Sequence, residues 1–135
     1  MAIRNRRTAG LTLRSDQWAA GKAAVQAVET VRAWGYPRLD EHDLAAAVRM
    51  LVAAAVADGG KRISVHLADQ ERKVLVVVLA HVSGVAEDPT VLPAVATLRT
   101  VESCSTDAAP DGRRLSALLD ADPPPARNRP RRPAA

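Results

Sequence analysis

The feature that most limits the possible folds is a pair of strand-like runs, RISVHLA (62–68) and KVLVVVLA (73–80), which are separated by a short turn. The first run alternates apolar and polar residues, which is the period of a half-exposed strand. The second run is apolar almost throughout, which is typical of a central strand. The two runs therefore predict a β-hairpin within a larger sheet.

Two helices are predicted before this hairpin. Ser15 is expected to cap the first helix at its N-terminus, and Gly35 to end it. Asp40 is expected to cap the second helix, with Asp43 in the position of a capping-box partner. The pair Gly59–Gly60 then stops the second helix. Both helices have one apolar face at helical spacing, which predicts that each packs against the sheet or its neighbour.

The remaining elements complete the order β-α-α-β-β-α-β-β. A short strand over 10–14 opens the domain, and Thr90 is expected to cap a short third helix. A closing hairpin is predicted from 100–106 and 113–119, which flank the turn signal DAAPDG. This order predicts an α+β fold, a two-layer sandwich of a mixed β-sheet with the helices packed on one face.

The positive charge lies at the two ends of the chain. The net charge is +4, and the last thirteen residues carry four arginines and no acid, so residues 1–122 sum to zero. Without the three arginines at positions 4, 6 and 7, residues 8–122 sum to −3. We therefore expect a flexible basic arm (1–8), one folded domain (9–122) and a disordered Pro/Arg tail (123–135).

Composition predicts a bacterial cytoplasmic protein. The sequence has no apolar run long enough to cross a bilayer and no apolar segment behind its N-terminal arginines, so neither a membrane span nor a secretory signal is expected. Cys104 is the only cysteine among 135 residues, which fits a reducing compartment. Within its predicted strand it is expected to be a buried, unreactive thiol.

Two segments carry a resemblance to a known family. TLRSDQWAAGKAAVQAVETVRAWGY (12–36) is similar to the opening strand and long helix of the histidine-kinase-type ATPase fold, which sensor kinases, gyrase and Hsp90 share. MLVAAAVADGG (50–60) is similar to the family's helix that reads Glu-x-x-x-Asn and ends in two glycines. With the order of elements, the likeness extends over most of 9–120. It is nearest to the small anti-sigma-factor serine kinases of bacterial partner switching.

The resemblance implies a nucleotide pocket whose chemistry is missing here. In the family the helix Asn holds Mg²⁺ against the phosphates and the Glu helps to activate the attacking group. Ala54 and Met50 stand at those positions, and neither side chain offers an oxygen ligand. Asp58, one turn after Ala54, is the nearest substitute, although a single carboxylate rarely holds a metal.

The second family motif is altered as well. After the central strand, the family has Asp-x-Gly-x-Gly, in which the carboxylate binds the adenine amino group. Here His81 replaces the Asp, Ser83 replaces the first Gly, and Gly84 is the only glycine before Pro89. The glycine-rich lid that should follow is absent from this short segment. The resemblance therefore predicts a pseudo-ATPase that uses no cofactor.

The resulting functional hypothesis is a non-catalytic regulator of transcription that acts by protein–protein binding. The resemblance suggests a sigma factor or an anti-sigma antagonist as the partner, and homodimerisation stays open. One alternative is a divergent ATP- and Mg²⁺-dependent serine/threonine kinase that uses Asp58 and His81 in altered roles.

A second alternative is a nucleic-acid accessory protein that uses the basic tail. The three aromatic residues, Trp18, Trp34 and Tyr36, lie far from the tail in sequence, which argues against stacking on single strands. His42, His66 and His81 lack the spacing of a metal site, so structural or surface roles are expected for them.

Overall fold

A computed structural model describes residues 7–82, 90–109 and 112–124 of the chain. The eight elements follow in the predicted order. They are β1 (Thr8–Arg14), α1 (Ala19–Ala33), α2 (Glu41–Ala57), β2 (Arg62–Asp69), β3 (Lys73–Ala80), α3 (Val91–Ala96), β4 (Val101–Ala109) and β5 (Gly112–Asp120).

The five strands form one sheet in the order β1-β2-β3-β5-β4, and every neighbouring pair is antiparallel. The mixed sheet expected from the sequence is therefore wrong. Two helices connect β1 to β2, so the chain returns to the end where β1 stopped and β2 runs the opposite way. β3 and β4, which α3 connects, do run in the same direction, but β5 lies between them. The central position predicted for 73–80 is confirmed, because β3 is the third of the five strands.

The helices cover one face of the sheet and bury its apolar residues. Alternation along β3 places Val74, Val76 and Val78 in the core, fully buried, and β2 and β5 do the same at every second position. The buried face of α2 lies against them. Its core residues are Leu44, Ala47, Val48, Leu51, Val52, Ala54 and Ala55. The architecture is thus a two-layer α+β sandwich.

Both ends of α2 and the end of α1 at Gly35 agree with the sequence, whereas the start of α1 differs. The Asp40 carboxylate accepts a hydrogen bond from the backbone N–H of Asp43 at 3.0 Å, as predicted for the N-cap. The Asp43 side chain does not reach back, because it accepts from the N–H and hydroxyl of Thr100 instead. Helix α1 begins four residues after Ser15, at Ala19, so the cap predicted at Ser15 is wrong.

A polar cluster fastens the start of β1 to the rest of the domain. The Asp69 carboxylate accepts two hydrogen bonds from the Arg7 guanidinium, at 3.0 and 2.7 Å, and one from the Tyr36 hydroxyl at 2.5 Å. The Tyr36 hydroxyl in turn accepts from the backbone N–H of Arg72. The Arg7 guanidinium also lies 5.7 Å from the centre of the Trp34 ring. One buried carboxylate therefore joins β1, the α1–α2 connection and the β2–β3 turn.

Candidate functional site

A buried ion pair lies between the end of α2 and the start of β5. Arg113 donates from Nε to Oδ2 of Asp58 at 2.9 Å and from Nη2 to Oδ1 at 2.8 Å. The two side chains are only 6% and 4% exposed. This two-bond geometry satisfies both carboxylate oxygens at once, which is the strong form of an arginine–carboxylate contact.

The end of helix α2 adds to the environment of the guanidinium. Arg113 Nη2 also lies 3.4 Å from the backbone carbonyl of Ala54, which belongs to the last turn of the helix. The carbonyl end of a helix carries partial negative charge, so it favours a cation at this position. Nη1 of Arg113 is buried and has no hydrogen-bond partner among the residues that the structure describes. Within that part of the chain, the guanidinium is thus held by one carboxylate and one helix end.

Tight backbone packing closes the site around this pair. A Cβ atom added to Gly112 would lie 1.7 Å from the carbonyl oxygen of Ala80, so only glycine fits there. Gly60 has φ +88°, and a Cβ there would lie 2.4 Å from Val82. Both glycines allow the strand ends and the end of α2 to approach closely. The same approach brings Arg113 onto Asp58.

Two of the predicted pocket positions come together at this pair. Ala54 is buried and presents only its carbonyl, while Asp58 is fully occupied by Arg113. Met50, one turn earlier, instead lines a groove of about 600 Å³ between α1 and α2, beside Val28 and Ala46. The helix positions assigned to one pocket by resemblance thus face two different surroundings.

His81 stands apart from the ion pair in its contacts. It is exposed, and its Nε2 lies 2.8 Å from the Ser64 hydroxyl on β2. His66 is likewise exposed on β2, as expected for a surface residue. Ser83 and Gly84 lie outside the described residues. Within the described residues, no three His, Cys, Asp or Glu side chains are grouped as metal ligands.

Sequence reasoning missed Arg113, although a signal for it was present. Leu115, Ala117 and Leu119 alternate along β5 and face the core. The same period of two, extended back by one step, places Arg113 on the buried face. A buried arginine needs a partner, since an unpaired charge in the core is strongly unfavourable. This requirement could have drawn attention to Asp58, the acidic residue at the end of the buried helix.

No protein-family model matches the chain, and no curated protein is significantly similar to it. None of the helices in the described ranges is both long enough and apolar enough to cross a membrane.

Proposed function

We propose that this chain is a degenerate domain of the histidine-kinase ATPase type, which binds no nucleotide and regulates transcription by binding another protein. The partner class, a sigma factor or an anti-sigma antagonist, follows from the resemblance over residues 9–120. Catalysis has no part in the proposal.

The observation that carries the proposal is the ion pair between Arg113 and Asp58. In the family that the chain resembles, Mg²⁺ is bound against the nucleotide phosphates at the helix turn that corresponds to the turn of α2 with Ala54. Here that turn offers a methyl group, and the next carboxylate along the helix uses both oxygens on a guanidinium. A metal would have to separate a buried, hydrogen-bonded pair, and breaking such a pair costs about 3–5 kcal/mol.

The kinase alternative requires Asp58 and His81 to bind the metal or the nucleotide, but both side chains already form hydrogen bonds within the domain. Asp58 would have to leave Arg113, and His81 would have to leave the Ser64 hydroxyl. A hydrogen bond to a charged group contributes about 1.5–3 kcal/mol, so losing the adenine carboxylate alone would weaken nucleotide binding by roughly ten- to a hundredfold. These considerations favour a binding protein over an enzyme.

A thermal-shift titration with Mg²⁺ and ATP tests the absence of nucleotide binding. Ligand at about 100 times its dissociation constant would stabilise the fold by ~2.7 kcal/mol, so binding would raise the melting temperature by several degrees. We expect no shift at millimolar ATP or ADP. An upward shift that requires both Mg²⁺ and ATP, and that inorganic phosphate does not reproduce, would overturn the proposal in favour of the kinase.

A binding assay tests the second half of the proposal. Sigma factors and antagonists encoded beside this chain would be purified and titrated against it, with and without Mg²⁺-ATP. We expect one of them to bind with an affinity that ATP leaves unchanged, and no phosphate transfer from labelled ATP. Binding that appears only with ATP, or labelling of the partner, would contradict a pseudo-ATPase.

A further inference from the structure

The sheet face opposite the helices is uncovered in the described part of the chain, and its centre is aliphatic. Residues that alternate with the core positions of β3 and β5 point to this side and are half-buried. They are Leu75, Val77, Leu79 and Leu118. None of these four packs against the core cluster. Across the register they lie beside small polar residues such as Ser64, Ser103 and Ser116.

One corner of the same face is basic. Arg14 and Arg62 are directly opposite each other on β1 and β2, and Lys61 precedes them at the end of the α2–β2 connection. All three are exposed, and none of their side chains forms a hydrogen bond or ion pair with another described residue. They line a groove of about 680 Å³ with Thr12 and Ser15. We call this group the basic corner.

The basic corner is unusual among the cations of the described residues. Of the thirteen arginines and lysines in the described residues, seven form ion pairs with Asp or Glu and six do not, and three of those six lie together at the basic corner. Like charges placed directly opposite on adjacent strands are destabilising. The fold therefore bears a cost at Arg14 and Arg62 that no carboxylate of the described residues offsets. An external anion would remove that cost.

The charges on this face select among possible occupants. The arm and tail of the chain are themselves basic and would be repelled by the corner. In a sheet-to-sheet contact, a second copy would present Asp107 and Glu102 of β4, and these two carboxylates already pair with Arg114 and Lys73. Single-stranded nucleic acid is disfavoured, since all three aromatic residues are on or near helix α1 and none is on the sheet.

We propose that this sheet face binds an acidic segment of a partner protein. Aliphatic side chains of the segment would cover Leu75, Val77 and Leu118, and its carboxylates would pair with Arg14 and Arg62. Because charged groups at the edge of a contact chiefly set partner choice and association rate, the corner would select acidic partners. The inference rests on the proposed protein-binding function, to which it adds the binding face and the chemistry of the partner.

Fluorescence anisotropy with labelled peptides tests this face. The probe is an octapeptide of alternating Glu and Val, and its counterparts alternate Lys with Val or Glu with Ser. We expect the Glu–Val peptide to bind in low salt, and the other two to bind far more weakly. The double variant Arg14→Gln/Arg62→Gln should weaken Glu–Val binding about tenfold, because it removes two exposed ion pairs.

A matched control separates the corner from net charge. Arg38→Gln/Arg49→Gln removes the same charge from two exposed arginines on the helical side, which have no ion pair within the described ranges, and should leave binding unchanged. Leu118→Thr, a change compatible with a strand, should weaken binding of Glu–Val without affecting the fold as judged by circular dichroism.

Four results would overturn the proposal. These are equal loss in the control variant, no Glu–Val binding at millimolar peptide, tighter Arg14-dependent binding of a labelled oligonucleotide, and a dimer by light scattering that Leu118→Thr dissociates. The last two would assign the face to nucleic acid or to a second copy. The assays contain no nucleotide triphosphate, so their failure leaves the test of ATP binding independent.

Discussion

Arg113 and Asp58 meet through two parallel hydrogen bonds, of 2.9 and 2.8 Å, between side chains that are almost completely buried. The pair joins the first residues of β5 to the end of α2, 55 positions earlier in the chain. Because both charges are removed from water, neither partner can be lost without leaving the other uncompensated. The pair therefore sets the position of the helix end relative to the sheet.

Replacing one partner should destabilise the fold strongly, and replacing both should restore much of the loss. Arg113→Met leaves the Asp58 carboxylate buried without a counter-ion, so we expect a loss of about 3–5 kcal/mol in the free energy of unfolding. The double variant Arg113→Met/Asp58→Leu removes both charges and should recover most of it. Urea unfolding of the two variants and the wild type measures this.

The exposed pair between Arg32 and Glu41 is the control for this experiment. Its side chains are 61% and 42% exposed, although its hydrogen bonds are as short as those of the buried pair. Arg32→Met should therefore lower the free energy of unfolding far less than Arg113→Met does, because solvent screens the exposed pair. If Arg113→Met and Arg32→Met lowered the free energy of unfolding by similar amounts, burial would not increase the contribution of the pair between Arg113 and Asp58 to stability.

The elements and most of their ends could be predicted because the signals are local. Each of these signals depends on a few neighbouring residues of the sequence: the alternation in 62–68, the apolar run in 73–80 and the cap at Asp40. The same holds for Gly59, which ends α2 with φ +92°. The prediction that Ser15 caps α1 was wrong because the chain first makes a turn before the helix. In this turn the Asp16 carboxylate accepts a hydrogen bond from the N–H of Trp18.

The sheet topology and the ion pair depend on contacts between distant parts of the chain. No single segment of the sequence determines whether β5 enters the sheet beside β3 or outside β4. Because β5 lies between β3 and β4, all neighbouring strands are antiparallel. The burial of Arg113 follows from alternation in β5, but its pairing with Asp58 requires the helix end to lie over that strand. The family resemblance pointed to Ala54 and Asp58 in the helix, but it did not indicate the contact between Asp58 and Arg113.

Acid should weaken the fold through Asp69. Burial raises the pKa of this carboxyl, but hydrogen bonds from Tyr36 and Arg7 outweigh burial and hold the pKa below its ordinary value of 3.8. Folding thus favours the ionised form, so the stabilisation is complete above about pH 4 and is lost as the pH falls through the lower folded pKa. We expect Asp69→Asn to cost about 1–3 kcal/mol at pH 7 and progressively less below pH 4.

Denaturant unfolding at several pH values measures the effect of Asp69→Asn. Asp107→Asn, which alters an exposed carboxylate on the edge strand, is the control and should follow the wild type at every pH. If the difference between wild type and Asp69→Asn stayed constant down to pH 2, ionisation of Asp69 would have no part in the stability.

A glycine at position 72 should stabilise the β2–β3 hairpin. Glu71 and Arg72 have φ of 56° and 67°, the left-handed values that a two-residue type I′ turn requires. Residues other than glycine adopt this conformation at a cost of about 1 kcal/mol. Arg72→Gly should therefore raise the free energy of unfolding by roughly that amount, since the side chain contributes only a long, exposed contact with Asp122.

Arg72→Ala distinguishes backbone strain from loss of the side chain. It removes the same contact with Asp122 but keeps a Cβ at a left-handed position, so we expect no gain in thermal stability. An equal gain from alanine and glycine would mean that the arginine side chain, and not the backbone conformation, is unfavourable.

Shortening the chain should have little effect until Pro123 is removed. Residues 125–135 contain no apolar side chain larger than proline, so we expect their removal to cost little stability. Pro123, by contrast, is buried, and the backbone N–H of Ala121 donates to the carbonyl of Arg72 at 2.7 Å. We expect truncation after Pro124 to leave the melting temperature unchanged. Truncation after Asp122 should lower the free energy of unfolding by about 1–2 kcal/mol, because it removes the buried ring of Pro123.

Differential scanning calorimetry of the two truncated chains measures both effects. A large drop in the melting temperature of the chain that ends at Pro124 would show that the Pro/Arg tail packs on the domain.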